Sequence, residues 1–196
     1  MRKYWGSMNY LGHLRLSEDN PYQRIGQLAG DVVKGRDLSY LHPEVAAGVR
    51  AHRRIDVLCD QYYREQQLRD CFPLALQRYA GILCDLGVDY LLATEASWPE
   101  GFPQFCHRVA MDLQQYHHAW PKAFLPLGER LQQPTALQAW AQWETVNKAL
   151  WRLDQRLRRP SPLPGAGPAL FEALPQLCDA LPGLLLHINN EALTPS

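Results

Sequence analysis

The chain lacks net charge: 20 Lys and Arg balance 20 Asp and Glu, a formal +0 over 196 residues. No global field therefore draws it to nucleic acid or to a membrane surface, and electrostatic recognition has to come from a local patch. It also lacks a run of 18 apolar residues, which predicts no membrane span. Residues 1–7 (Met-Arg-Lys-Tyr-Trp-Gly-Ser) lack the apolar stretch of a signal peptide and read as a leader or extension outside the fold. Cysteine is sparse, five residues with no C-x-x-C pair. That argues against a thiol metal site or a disulfide frame and predicts reduced cysteines in a cytoplasmic protein. No internal repeat stands out, and no alternating pattern is long enough to predict a strand.

What is present is ordinary for a globular protein, 46% hydrophobic and 20% charged. The length suits one domain with a substantial core. Among the cations, 16 are arginine and four lysine, a bias toward planar forks that suit phosphate and carboxylate. Apolar residues recur at helical spacing over Tyr22 to Val33, with Gly35 as the stop, and from Pro43 to about Asp60. Further helices are predicted over 72–92, 104–118, 121–132, 134–158 and 169–193, with a loop at 96–103. The Pro- and Gly-rich segment 160–168 is too short a linker to separate large domains. The expectation is an all-α fold, a single-domain helical bundle covering residues 8–196.

The chemistry concentrates on two predicted helices. His52 and Asp56 lie four apart, one turn from each other on one face. They share a stripe with Val45 and Val49, flanked by Arg50, Arg53 and Arg54. Asp85 and Asp89 repeat that spacing on the stripe of Ile82 and Leu92. Ionisable groups on apolar faces are costly unless they are paired or hold a cation. Spacing alone leaves both readings open: an ion-pair network with Arg53 or Arg54, or a metal site. Imidazole and carboxylate together suit Mn, Fe, Mg or Zn, with hard oxygen ligands tilting toward Mn or Mg. Asp60, one turn beyond Asp56, reads as structural. His117 and His118 diverge by about 100° on a helix and cannot easily share a metal. Trp140, Trp143 and Trp151 read as core or groove lining.

Longer phrases carry more. Asn9-Tyr10-Leu11-Gly12-His13-Leu14, Gly30-Asp31-Val32-Val33-Lys34-Gly35 and the run from Val45 to His52-Arg53-Arg54-Ile55-Asp56 stand in order. Leu58-Cys59-Asp60, Arg78-Tyr79-Ala80-Gly81-Ile82-Leu83-Cys84-Asp85 and Asp89 follow. This ordered set resembles the acyl carrier protein phosphodiesterase family, closely over residues 8–92 and more loosely beyond. The resemblance implies a helical relative of the HD-domain phosphohydrolases, dependent on Mn or sometimes Mg. It implies acyl carrier protein as the partner and hydrolysis of the phosphodiester joining 4′-phosphopantetheine to the carrier serine. Carried onto this chain, it implies Asp31, His52, Asp85 and Asp89 as metal ligands. His52, Asp56 and Asp85 become catalytic, and Asn9, His13, Lys34, Arg53 and Arg54 become substrate-binding.

The chain also departs from that pattern. Tyr90 stands where the family has a histidine after its second aspartate. Arg15 replaces an early second histidine, and Thr94-Glu95 replaces an Arg-His pair. Two other functions stay open at this level: a carrier-binding relative without catalysis, and a hydrolase of small phosphodiesters.

Overall fold

The computed structural model describes residues 10–17, 19–96 and 98–192, and among these every regular element is helical. Nine α-helices follow in order: α1 Tyr10–Arg15, α2 Pro21–Ala29, α3 Pro43–Glu65, α4 Ala80–Thr94, α5 Phe102–Gln115, α6 Leu125–Leu131, α7 Pro134–Gln138, α8 Trp143–Gln155 and α9 Gly167–Ala192. They close around one continuous apolar core, into which each helix sends residues such as Leu11, Ile25, Val49, Leu83, Val109, Leu127, Leu137, Leu150 and Leu177. The all-α fold expected from the sequence is the fold observed.

Helices α2 and α3 form the closest packed pair, and their contacts climb in step. The Gln23 amide donates to Glu44 at 2.9 Å, Gly26 crosses Gly48, and Asp31 reaches His52. The two helices therefore run side by side in the same direction. The crossing depends on both glycines. A Cβ on Gly26 would lie 2.2 Å from the Val45 carbonyl oxygen, and one on Gly48 would lie 2.2 Å from that of Gln23. Asn20 caps α2 by accepting from the Tyr22 and Gln23 N–H groups, with Pro21 in the first turn where no N–H partner is needed.

Several predicted boundaries shift for identifiable reasons. Helix α2 ends at Ala29 rather than Val33: the Gly30 and Val32 N–H groups donate three residues back, to the Gln27 and Ala29 carbonyls, so a tighter turn takes the place of a further helical turn. The predicted helix over 72–92 begins only at Ala80. Before it, Pro73 and two 3₁₀ turns, Leu68–Cys71 and Gln77–Tyr79, carry the chain. The predicted helix over 134–158 is broken by extended backbone at Gln142. The break lets Trp140 turn inward onto Tyr10 while Trp143 meets Tyr90 and Phe171; Trp151 stays exposed. The 160–168 segment holds a 3₁₀ turn with buried Leu163 and Ala166, so it packs against the core.

One sequence expectation needs qualifying. The segment Gly167–Glu191 is long and apolar enough to cross a membrane by length and composition, although it contains no unbroken apolar run. In the fold, Leu170, Ala173, Leu177, Leu184 and Ile188 of this helix are buried against α3, α4 and α8. It runs through Pro175 and Pro182, which interrupt its ladder without ending it.

Candidate active site

Three helices deliver the site. Helix α3 carries His52 and Asp56, α1 carries His13, and the turn after α2 carries Asp31. A helix of six residues such as α1 is too short to be stable alone. It is held by Asp89 of α4, fully buried, whose carboxylate accepts the N–H groups of Tyr10, Leu11 and Gly12 at 2.7, 2.9 and 3.0 Å. These are orphan donors of a helix N-terminus, satisfied from a neighbouring helix. Burial drives the Asp89 carboxyl well above its usual range, and the three donors oppose that.

The imidazoles of His13 and His52, both buried, stack with centroids 3.8 Å apart. Asp56 offers one carboxylate oxygen to each ring: Oδ1 lies 3.2 Å from His13 Nε2 and Oδ2 lies 3.4 Å from His52 Nε2. Asp31 Oδ1 approaches His52 Nε2 at 3.4 Å from the turn after α2. These oxygens sit off the line of a ring N–H, and all four ring nitrogens of the two histidines lack a hydrogen-bond partner among the described residues.

That geometry fits a shared cation. His13, His52 and Asp56 each present a ligand atom, all within 4.8 Å of one another. Ligands about 2.1 Å from one ion lie about 3.0–3.4 Å apart at octahedral or tetrahedral angles, and the two histidine–Asp56 separations of 3.2 and 3.4 Å fall in that range. Two imidazoles plus carboxylates suit a first-row divalent metal. The two arginines offered as ion-pair partners each reach a backbone carbonyl. Arg53 donates to the Val33 carbonyl and Arg54 to that of Glu191.

Without a cation the cluster polarises. Burial alone depresses the His52 pKa, but the carboxylates of Asp31 and Asp56 outweigh it and lift the ring to about 10. Burial and the charge of His52 together hold His13 below its usual value, since two stacked imidazolium rings repel. Burial opposes ionisation of Asp56, yet contact with both histidines drives its pKa far down.

The cluster opens on a cavity of about 310 Å³, lined by Asp31, His52 and Asp56 on one side and by Lys34, Arg36 and Arg53 on another. Lys34 also donates to the Asp31 carbonyl, and Gly35, at φ +88°, makes the left-handed turn between Lys34 and Arg36. An anionic group entering this cavity would meet three cations and the histidine–carboxylate cluster at once.

The residues singled out from the sequence divide clearly. The fold brings together His13, Asp31, His52 and Asp56, with Lys34 and Arg53 at the cavity wall. Asp85 is elsewhere: it accepts the Tyr63 hydroxyl at 3.0 Å on the α3–α4 interface. Asp89 serves α1, and Arg54 reaches the end of α9. Asn9 lies outside the described residues. Tyr90, the departure from the family pattern, packs its ring edge-on to Trp143 at 5.0 Å and is not part of the cluster. Arg36 had not been singled out, and its signal was its place one residue after Gly35.

Comparison with known proteins agrees with the resemblance. An acyl carrier protein phosphodiesterase of Photorhabdus laumondii is 29% identical over 164 residues, 81% of this chain and 82% of the relative. One of Serratia proteamaculans is 28% identical over 162 residues, 81% and 84% of the two chains. One of Escherichia coli reaches 35% over 98 residues, 50% of each. No solved structure matches the chain. The model of the acyl carrier protein phosphodiesterase family matches residues 8–181, and the chain belongs to that family.

Proposed function

We propose that this chain hydrolyses the phosphodiester between 4′-phosphopantetheine and the serine of an acyl carrier protein, releasing the apo carrier. The observation that carries the reading is the His13–His52–Asp56 cluster, two members of which line a cavity with Lys34, Arg36 and Arg53, in a chain of this family. The cluster favours catalysis over a carrier-binding relative without chemistry, because Tyr90 leaves it intact.

His13, His52 and Asp56 would hold a divalent cation, Mn or alternatively Mg, with Asp31 as the adjoining carboxylate. When bound, such a cation supplies Lewis acidity toward a phosphoryl oxygen and lowers the pKa of a bound water. The chain's own groups do the rest. Lys34, Arg36 and Arg53 hold the phosphodiester and offset charge that grows on its oxygens. Asp31, which lines the cavity, would orient the attacking water and accept its proton as the new P–O bond forms; the bond from phosphorus to the serine oxygen breaks, and that oxygen takes up a proton from Asp31 or solvent to give the free serine hydroxyl. Asp85 has no part in this scheme, since its carboxylate engages Tyr63. Carrier proteins are acidic, and Arg50 on the exposed face of α3 extends the cationic rim on which one would dock.

The test is direct. Holo carrier incubated with the protein and Mn should lose the mass of phosphopantetheine, and a chelator should stop the loss. Release that continues in chelator, or none with any divalent metal, refutes the reading.

A further inference from the structure

Gly30, the residue that follows α2, touches the site through a neighbour. Its backbone stays helical, with φ −53° and ψ −39°. Nothing in that conformation requires glycine, and alanine there would ordinarily stabilise the helix end. What requires glycine is His52. A Cβ on residue 30 would stand 2.2 Å from Cγ, 2.3 Å from Cδ2 and 2.7 Å from Cβ of the His52 side chain. All three are atoms near the root of the side chain, which cannot swing aside without moving the whole imidazole.

The ring has little room to move. It stacks on His13 at 3.8 Å and faces Asp31 and Asp56 through the same Nε2 at 3.4 Å each. It is 3% exposed. Asp31, the residue after Gly30, comes to His52 from the same turn. The α2–α3 pair therefore fixes both the ring and one of its carboxylate partners through a single close approach.

We infer that Gly30 is a positioning residue for the donor cluster: its missing side chain sets where the His52 imidazole lies against His13, Asp31 and Asp56. This rests on the reading of that cluster as a cation site. A methyl group at position 30 pushes the ring out of the stack and pulls Nε2 off the shared donor position, while leaving α2 helical. The effect is specific to His52, so it disappears when the ring is gone.

Gly30→Ala, the Gly30→Ala/His52→Ala double variant, His52→Ala and the wild type serve as a cycle. Mn binding is measured by titration, well below each variant's melting temperature. The coordinated imidazole nitrogens are counted by electron spin echo modulation of the bound Mn. Gly30→Ala should bind Mn about 10–100-fold more weakly, the range for residues that orient a metal ligand. It should lose one of the two nitrogen signals of the wild type. In the His52→Ala background the same change should alter neither Mn affinity nor stability adversely, even if Gly30→Ala alone folds poorly.

Wild-type affinity with two nitrogens in Gly30→Ala overturns the inference, as does an equal loss of stability with and without His52. Failure of the wild type to bind Mn instead sinks the proposed function. In that case imidazole NMR of the metal-free proteins decides the ring position: displaced His13 and His52 resonances in Gly30→Ala uphold the inference, and unchanged ones overturn it.

Discussion

His52 and Asp56 are one helical turn apart, and their pairing was readable from that spacing alone. What spacing could not give was the third donor. His13 lies 39 residues upstream on a short helix, and nothing local marks it as a partner of His52 rather than a substrate contact. The stack of the two rings follows from long-range packing. It also has a consequence for pH. In the metal-free protein the His52 pKa rises from 6.5 to about 10 on folding. The stabilisation from its carboxylate partners is then full below pH 6.5 and is lost as the pH climbs toward about 10. The stability gap between wild type and His52→Gln, measured by denaturant unfolding in chelator, should therefore narrow steadily across that window. A constant gap would show that His52 carries no proton held by Asp31 and Asp56.

Among the elements, α1 is the revealing case. The family resemblance implied Asp89 as a metal ligand, and spacing alone showed it only as an acid one turn from Asp85 on an apolar stripe. The fold uses it to close the N-terminus of α1, three donors on one carboxylate, and so to hold His13 in place. A buried aspartate on an apolar stripe looks the same in sequence whether it meets a cation or backbone N–H groups. Only the partner helix distinguishes them. Asp89→Ala leaves buried N–H groups without acceptors and should cost about 3 kcal/mol or more in unfolding free energy. Asp89→Asn should cost less, since an amide oxygen still accepts. Equal stabilities for Asp89→Ala and wild type would remove Asp89 from this role. The helical class was legible from periodicity, whereas the count was not: seven helical stretches were expected and nine α-helices are seen among the described residues. The break at Gln142 was not legible either, because it goes with the long-range contact of Trp140 with Tyr10.

At the scale of the molecule, net neutrality is compatible with a local cationic patch. Lys34, Arg36 and Arg53 line one cavity together with Asp31 and Asp56, and Arg50 is exposed nearby in sequence on α3. Turnover of an acidic carrier should therefore fall as salt is raised, through screening at a Debye length of about 8–10 Å. Arg36→Glu should raise KM for the carrier severalfold and flatten the salt dependence, with the melting temperature little changed. An Arg36→Glu enzyme with unaltered KM and salt response would place the docking surface elsewhere. The family and the all-α class were both visible in the ordered phrases of the sequence. Which acids meet the two histidines and which meet backbone N–H groups was not.

The central claim concerns which side chains hold the cation, and diffraction from Mn-soaked crystals at the manganese absorption edge addresses it without assuming activity. The account predicts one strong anomalous peak bounded by His13 Nε2, His52 Nε2 and the Asp56 carboxylate, with Asp31 adjoining. A peak at Asp85 or Asp89, or no ordered Mn at the cluster, would contradict it.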